Sequence, residues 1–513
     1  MPINAARRTA LAVFTALTLP GFAAWPAPGA AQAQSAAVTA SVYEHTDPIF
    51  AEFQKENHIP GLVYGIVADG RLVHVRSFGV QDLKSTRRVT PDSLFRIASM
   101  TKAFTALSVL SLRDQGRLSL EAPVETYVPE VKGWRYPSAD SPPIRVRDLL
   151  HHTAGFVNDD PWGDRQTAMP EEEFTQLLRT GVPFTRAPGL LMEYSNFGYA
   201  LLGRIVANVS GQPYRTYVER TLLQPLSMTS SGFEDTEAPA ERRALAYRWE
   251  NGAWMEEPTM RHGAFGAMGG LQTSATDYAR YVAWLLSAWP PRDDADEGPI
   301  KRATVRELAQ GSNFAWLQER TVDGRPCPQA VTYGMGMRVF TDCELGTVLN
   351  HGGGYPGYGS GVLLLPDYGV GLFVFSNRTY AGGSDALWRA ASMLNTAGLL
   401  SERPRPLSPA LSDAYAAARN IYRQGDVLVD KSELADNFLM DRSAANWRRE
   451  LASIKRQVGA CERDMPVFAR GAMSANFRWV CERGMVDGYL LLAPTTPTTI
   501  QQLRLTIAAP PPG

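Results

Sequence analysis

Ser99 and Lys102, in the run Ser99-Met100-Thr101-Lys102, are the first residues in this sequence whose types and spacing allow joint chemistry. On a helix, positions i and i+3 share a face, which brings the amine within reach of the hydroxyl. Apolar residues lie on both sides of the pair, and desolvation there favours a neutral amine, a base able to take the serine proton. A helix N-terminus at the same place offers free backbone N–H groups toward developing negative charge. Ser-x-x-Lys arises by chance in a chain of 513 residues, so the pair needs company. Tyr194-Ser195-Asn196 supplies some: residues two apart in an extended loop point the same way. A phenol beside an ammonium passes protons, and an Asn amide holds a carbonyl. Ser195 or Asn196 also reads as the cap of a helix over Phe197–Asn208, and the two roles are compatible. His351-Gly352-Gly353-Gly354 is the third segment, where glycines let a substrate backbone approach a strand edge.

The order and contexts of the three segments resemble the family that contains class C β-lactamases, DD-peptidases, D-amino-acid-specific aminopeptidases and related esterases. The stretches that carry the resemblance are FRIASMTKAFTA (95–106), IRVRDLLHHTAGF (144–156), PGLLMEYSNFGYALLG (188–203), GAMGGLQTSATDYAR (266–280), and YGMGMRV followed by HGGGYPGY (333–358). The likeness spans roughly 45–400, and the set is specific although each piece alone is not. It implies that Ser99 is the nucleophile and Lys102 its activator. Tyr194 would pass a proton to the leaving group and help activate the deacylating water. Asn196 would contact both the acyl amide and Lys102, and His351 and Gly353 would form the third motif. The oxyanion hole would be the backbone N–H groups of Ser99 and Gly354. One position departs from the β-lactamase pattern, which carries Lys where His351 stands. A His is largely neutral at pH 7, which ranks penicillin turnover below peptide or ester hydrolysis.

These residues need elements to position them. Gly61–Ala68 and Leu72–Phe78 are apolar, β-branched runs joined by Asp69-Gly70, a hairpin signal. Residues 98–115 change to a helical period ended by Gly116, and 117 to about 325 reads as helical segments broken by Pro and Gly, with Thr276 capping a helix through Ser287. Strand signals return at Thr332–Phe340, Gly346–Leu349, Gly361–Leu365 and Val370–Ser376, followed by a helix from Ser384 to Leu399. The expected fold is therefore α/β (α+β): an antiparallel sheet flanked by helices, with a large mostly helical insertion and a cleft where the two meet. A Pro-rich linker at 401–409 separates this 34–400 hydrolase unit from a small α+β domain at 410–507. That domain, two helices and three strands, is weakly similar to NTF2-like accessory domains; 508–513 reads as a tail.

Arg7 and Arg8, the apolar run Thr9 to Ala24 and Ala31-Gln32-Ala33 read as a signal peptide over 1–33, implying a periplasmic or secreted protein. An oxidising compartment makes disulfides among Cys327, Cys343, Cys461 and Cys481 expected, with the local pairs favoured among three connectivities. A net charge of −1 without a basic run argues against nucleic acid as a partner, and no membrane span is expected after removal of the leader. No metal-ligand spacing and no cofactor motif is present. His151 and His152 read as loop-shaping, and Asp277 as support for a helix's first turn. The expectation is an exported serine hydrolase acting on a peptide or small-molecule amide or ester, D-amino-acid derivatives foremost. The alternatives are a β-lactamase or a slowly deacylating penicillin-binding sensor, and the oligomeric state is open.

Overall fold

The computed structural model describes residues 42–234 and 237–508; the expected leader and all but the first residue of the expected tail lie outside the described residues. Nine strands form the main sheet: β1 (Gly61–Ala68), β2 (Arg71–Asp82), β3 (Arg87–Arg88), β4 (Asn313–Val322), β5 (Arg325–Tyr333), β6 (Arg338–Asp342), β7 (Gly346–Tyr355), β8 (Tyr358–Leu365) and β9 (Val370–Ser376). Their spatial order is β3-β2-β1-β9-β8-β7-β6-β5-β4, and neighbours run antiparallel. The early hairpin therefore docks on the last strand, with Tyr64 opposite Val374. β1 is buried along its whole length, as its unbroken apolar run demands of a strand covered on both faces.

Helices α1 (Asp47–Glu56) and α5 (Ser384–Thr396) cover one face. The other face carries α2 (Thr101–Asp114), α3 (Asn196–Ser210) and α4 (Ala275–Leu286), which belong to the helical insertion. The cleft between that insertion and β7 is where the motif residues meet. The C-terminal unit pairs α6 (Pro409–Gln424) and α7 (Ala444–Val458) with a second sheet. Its strands are β10 (Arg463–Asp464), β11 (Phe468–Ala469), β12 (Ser474–Cys481), β13 (Gly484–Leu492) and β14 (Ile500–Ile507). It has a core of its own, centred on Trp479, Phe477 and Leu451. Disulfides join Cys327 to Cys343 and Cys461 to Cys481. Among the described residues no helix is long and apolar enough to cross a membrane.

Three local expectations are corrected. The run Thr332–Phe340 is two strands, β5 and β6, because the chain reverses between Gly334 and Met337. Gly336 sits there at φ +79°, and a Cβ on it would lie 2.7 Å from the Lys102 carbonyl oxygen, so this turn packs directly on the backbone of α2. Second, residues 313–322 form the edge strand β4 rather than helix; pairing with β5 overrides the helix preference of Ala, Leu, Gln and Glu in that segment. Third, α4 is capped by Ser274, not Thr276: the extended backbone of Ser274 lets its hydroxyl accept from the Asp277 N–H at 3.1 Å. Thr276 instead bonds Asp92 at 2.8 Å. Asp277 accepts from Ser230 and Ser231, tying the first turn of α4 to that loop.

Candidate active site

The nucleophile candidate sits on a single tight turn, Ala98–Met100, immediately before α2. Ala98 is held at φ +48°, a left-handed conformation rarely adopted by a residue with a side chain. This conformation is fixed from the sheet side. A Cβ on Gly353 of β7 would stand 2.4 Å from the Ile97 carbonyl and 3.1 Å from the Ala98 side chain, so only glycine lets β7 approach the turn so closely. Ser360 of β8 completes the seam by donating to the Ile97 carbonyl at 2.7 Å.

Lys102, one turn on, is fully buried. Its Nζ lies 3.1 Å from Ser99 Oγ, 2.7 Å from Asn196 Oδ1 and 2.8 Å from the Met268 carbonyl. The last two partners can only accept, so they take both N–H groups of a neutral amine and leave its lone pair toward Ser99. Burial pulls the Lys102 pKa down to about 8, against the opposing pull of Asp160, Asp164 and Asp159, while Arg338 lowers it further. Tyr194 stands over this amine, its ring centre 4.8 Å from Nζ, and its phenol bonds Ser99. Burial raises that phenol well above its ordinary pKa, so it is a neutral proton donor. Ser195 caps α3 through the Gly198 N–H at 3.2 Å, while Asn196 is its first residue, so one segment serves as helix entry and pocket wall.

His351 lies within β7, beyond the expected Gly346–Leu349 strand, which runs on through the glycines to Tyr355. Its Nδ1 meets the Gly352 carbonyl at 2.6 Å and so carries the proton, and Nε2 accepts from the Tyr333 hydroxyl at 3.0 Å. Burial, with Arg338 and Lys102 nearby, holds it well below the ordinary imidazole pKa. His351 is thus neutral, with both ring nitrogens engaged. Gly354 follows on the same strand, next to Tyr380, whose ring would meet a Cβ there at 2.5 Å.

The fold brings here several groups that sequence reasoning left out of the site, together with His152, which keeps the loop-shaping role read from the sequence. Asp159 accepts from the Asn196 and Phe197 N–H groups at 2.6 and 2.7 Å, and Asp160 accepts from the Asn196 side chain. Burial, and then Asp160, push Asp164 up to about 7. Three aspartates in six residues of a Pro-containing loop were the available signal. His152 accepts from the Ser195 N–H at 3.1 Å, and its ring centre lies 4.3 Å from that of Tyr194, so it positions the loop that carries the phenol. Arg338, at the start of β6, places its guanidinium carbon 5.9 Å from the Tyr194 ring centre. Tyr333 and Arg338 lie inside YGMGMRV, where nothing in the spacing singled them out. Among the described residues no group of three or more His, Cys, Asp or Glu is placed to hold a metal ion.

A family model described as Beta-lactamase matches residues 46–394. The chain belongs to the beta-lactamase family. Among curated relatives of this family member, "Protein flp" of Staphylococcus aureus is 27% identical over 340 residues, 65% of this chain and 63% of that protein. "Beta-lactamase-like protein 2" of Dictyostelium discoideum is 31% identical over 255 residues, 48% of this chain and 46% of that one. The match thus spans less than two thirds of these relatives' length. Among solved structures, the octameric penicillin-binding protein homologue from Pyrococcus abyssi aligns over 90% of this chain and 99% of its own, with a TM-score of 0.58 at 20% identity. The class C beta-lactamase from Rhodobacter sphaeroides aligns over 69% of this chain and 99% of its own, with a TM-score of 0.52 at 22% identity. At these identities the structural likeness speaks for the fold.

Proposed function

We propose that this chain is an exported serine hydrolase that forms and then hydrolyses an acyl-enzyme on Ser99. The observation that carries the reading is the buried Lys102 amine, whose two N–H groups have fixed acceptors and whose remaining position faces Ser99 Oγ at 3.1 Å. Lys102 takes the Ser99 proton as Oγ attacks the substrate carbonyl. The N–H groups of Ser99 and Gly354 receive the oxyanion, each such donor typically contributing about 3–4 kcal/mol. Tyr194 gives its proton to the departing nitrogen or oxygen and is reprotonated by the Lys102 ammonium. Water then attacks the ester with Tyr194 and Lys102 returning its proton to Ser99.

The substrate class is a D-amino-acid peptide or amide, or a small ester. A neutral His351 is a poor receptor for a β-lactam carboxylate, which places lactam hydrolysis second. Arg338, beside Tyr194, supplies the fixed positive charge on the leaving-group side. A fluorophosphonate probe labels the wild type, and Ser99→Ala loses the label; equal labelling of the variant overturns the assignment. Comparing p-nitrophenyl esters, D-amino-acid amides, D-Ala-D-Ala peptides and a chromogenic cephalosporin by kcat/KM is expected to leave the cephalosporin last. A stable adduct with no turnover on any of them would instead identify a slowly deacylating sensor.

A further inference from the structure

On the far face of the main sheet, away from Ser99, strands β4 to β7 and helix α5 line a half-open cavity of about 650 Å³. Small-molecule sites typically measure roughly 300–1,000 Å³. Two tryptophans line it, Trp316 from β4 and Trp388 from α5, and so do three arginines, Arg320, Arg338 and Arg389. The arginines differ in a way that matters. Arg320 is paired with Asp342 and Glu344, and Arg389 with Glu52. Arg338 has its Nε buried with no hydrogen-bond partner, and its guanidinium carbon lies 5.8 Å from the Trp316 ring centre.

We propose that this cavity binds a small monocarboxylate with an aromatic body. The carboxylate takes the guanidinium of Arg338, which lines the cavity, in the two-point contact that such groups offer to planar anions. The aromatic body lies against Trp316 and Trp388, as offset or edge-on rings prefer. The exposed carboxylates of Asp323 and Asp385, which also line the cavity, repel a dianion such as phosphate more than a monoanion and so weigh against the former. The cavity opens on the opposite face of the sheet and meets the hydrolase reading at one residue, Arg338, whose guanidinium lies between the Tyr194 and Trp316 rings.

The test is calorimetric titration of 2-naphthoate into the full chain, before and after Ser99 is blocked with a fluorophosphonate. Saturable one-to-one binding is expected, changed less than threefold by the block. Trp388→Ala removes one wall, and Ser384→Trp fills the cavity from an exposed position on its lining; each is expected to weaken binding at least tenfold. Absence of saturable binding overturns the site. So does loss of binding on blocking Ser99, which would place the probe in the catalytic cleft, or unchanged affinity in whichever of the two variants folds. Failure of the fluorophosphonate to label Ser99 would count against the hydrolase reading alone, since the two cavity variants are read without catalysis.

Discussion

Two polar clusters sit on this sheet, and they are built on opposite plans. At the β1–β2 side, Asp47 of α1 accepts from His74 and Arg76, each at 2.8 Å, and from the Tyr64 hydroxyl, which in turn meets Thr46 at 2.7 Å. Burial alone would raise the Asp47 pKa, yet the bonds from Tyr64, Arg76 and His74 leave it below the ordinary value. Each member has a counterpart. Around Lys102 the reverse holds: the amine has no carboxylate in contact, His152 Nε2 and Arg338 Nε have no partner, and Asp164 is raised to about 7. A satisfied buried network serves stability, whereas groups held away from their ordinary charge states are available to a substrate.

That contrast breaks first at Lys102. Lys102→Met is expected to slow acylation of Ser99 by about two to four orders of magnitude, as removal of a positioned base does, while the melting temperature holds or rises because a buried amine has been removed. A loss under threefold in single-turnover labelling would end its role as base. Asp47→Ala does the opposite. It leaves kcat/KM within about twofold and destabilises the fold by about 1–3 kcal/mol in denaturant titration, since three donors lose a shared acceptor. Arg338→Leu sharpens the comparison from the substrate side. KM should rise about tenfold for substrates whose leaving group carries a carboxylate, the worth of one charge-assisted contact, with neutral esters unaffected; an equal change for both would make Arg338 structural.

The smallest effect concerns pH. Below the Lys102 pKa the ammonium has no lone pair for the Ser99 proton, so kcat/KM for a neutral ester should rise with pH, with a midpoint near the value of about 8. The Asp164 carboxylate favours the ammonium, so Asp164→Asn should move that midpoint to lower pH. A profile flat from pH 6.5 to 9 in the wild type would contradict the proton route.

Much of this was legible in residue order. The hairpin at Asp69-Gly70 and the strands Val370–Ser376 and Ser474–Cys481 follow from local patterning and turn chemistry, which are properties of neighbouring residues. The β4 edge strand was not, because its sequence favours helix and only the partner strand decides. The same division runs through the site. Ser99 and Lys102 share a local spacing that a reader can find, and Tyr194-Ser195-Asn196 and His351-Gly352-Gly353-Gly354 stand out through resemblance. Arg338 and Tyr333 carry no local signature and the aspartates of 159–164 only their clustering, because their meaning comes from what they face.

What the sequence determined by itself is which atoms are present and, for most short segments though not for β4, whether they are helix or strand, since hydrophobic period, caps and turns act over a few residues. What only the tertiary structure decided is the charge on those atoms. Lys102 sits near a pKa of 8 and His351 is neutral because segments far apart in the chain exclude water around them and fix their hydrogen-bond partners. Desolvation and long-range electrostatics depend on packing in three dimensions, and no local pattern encodes them.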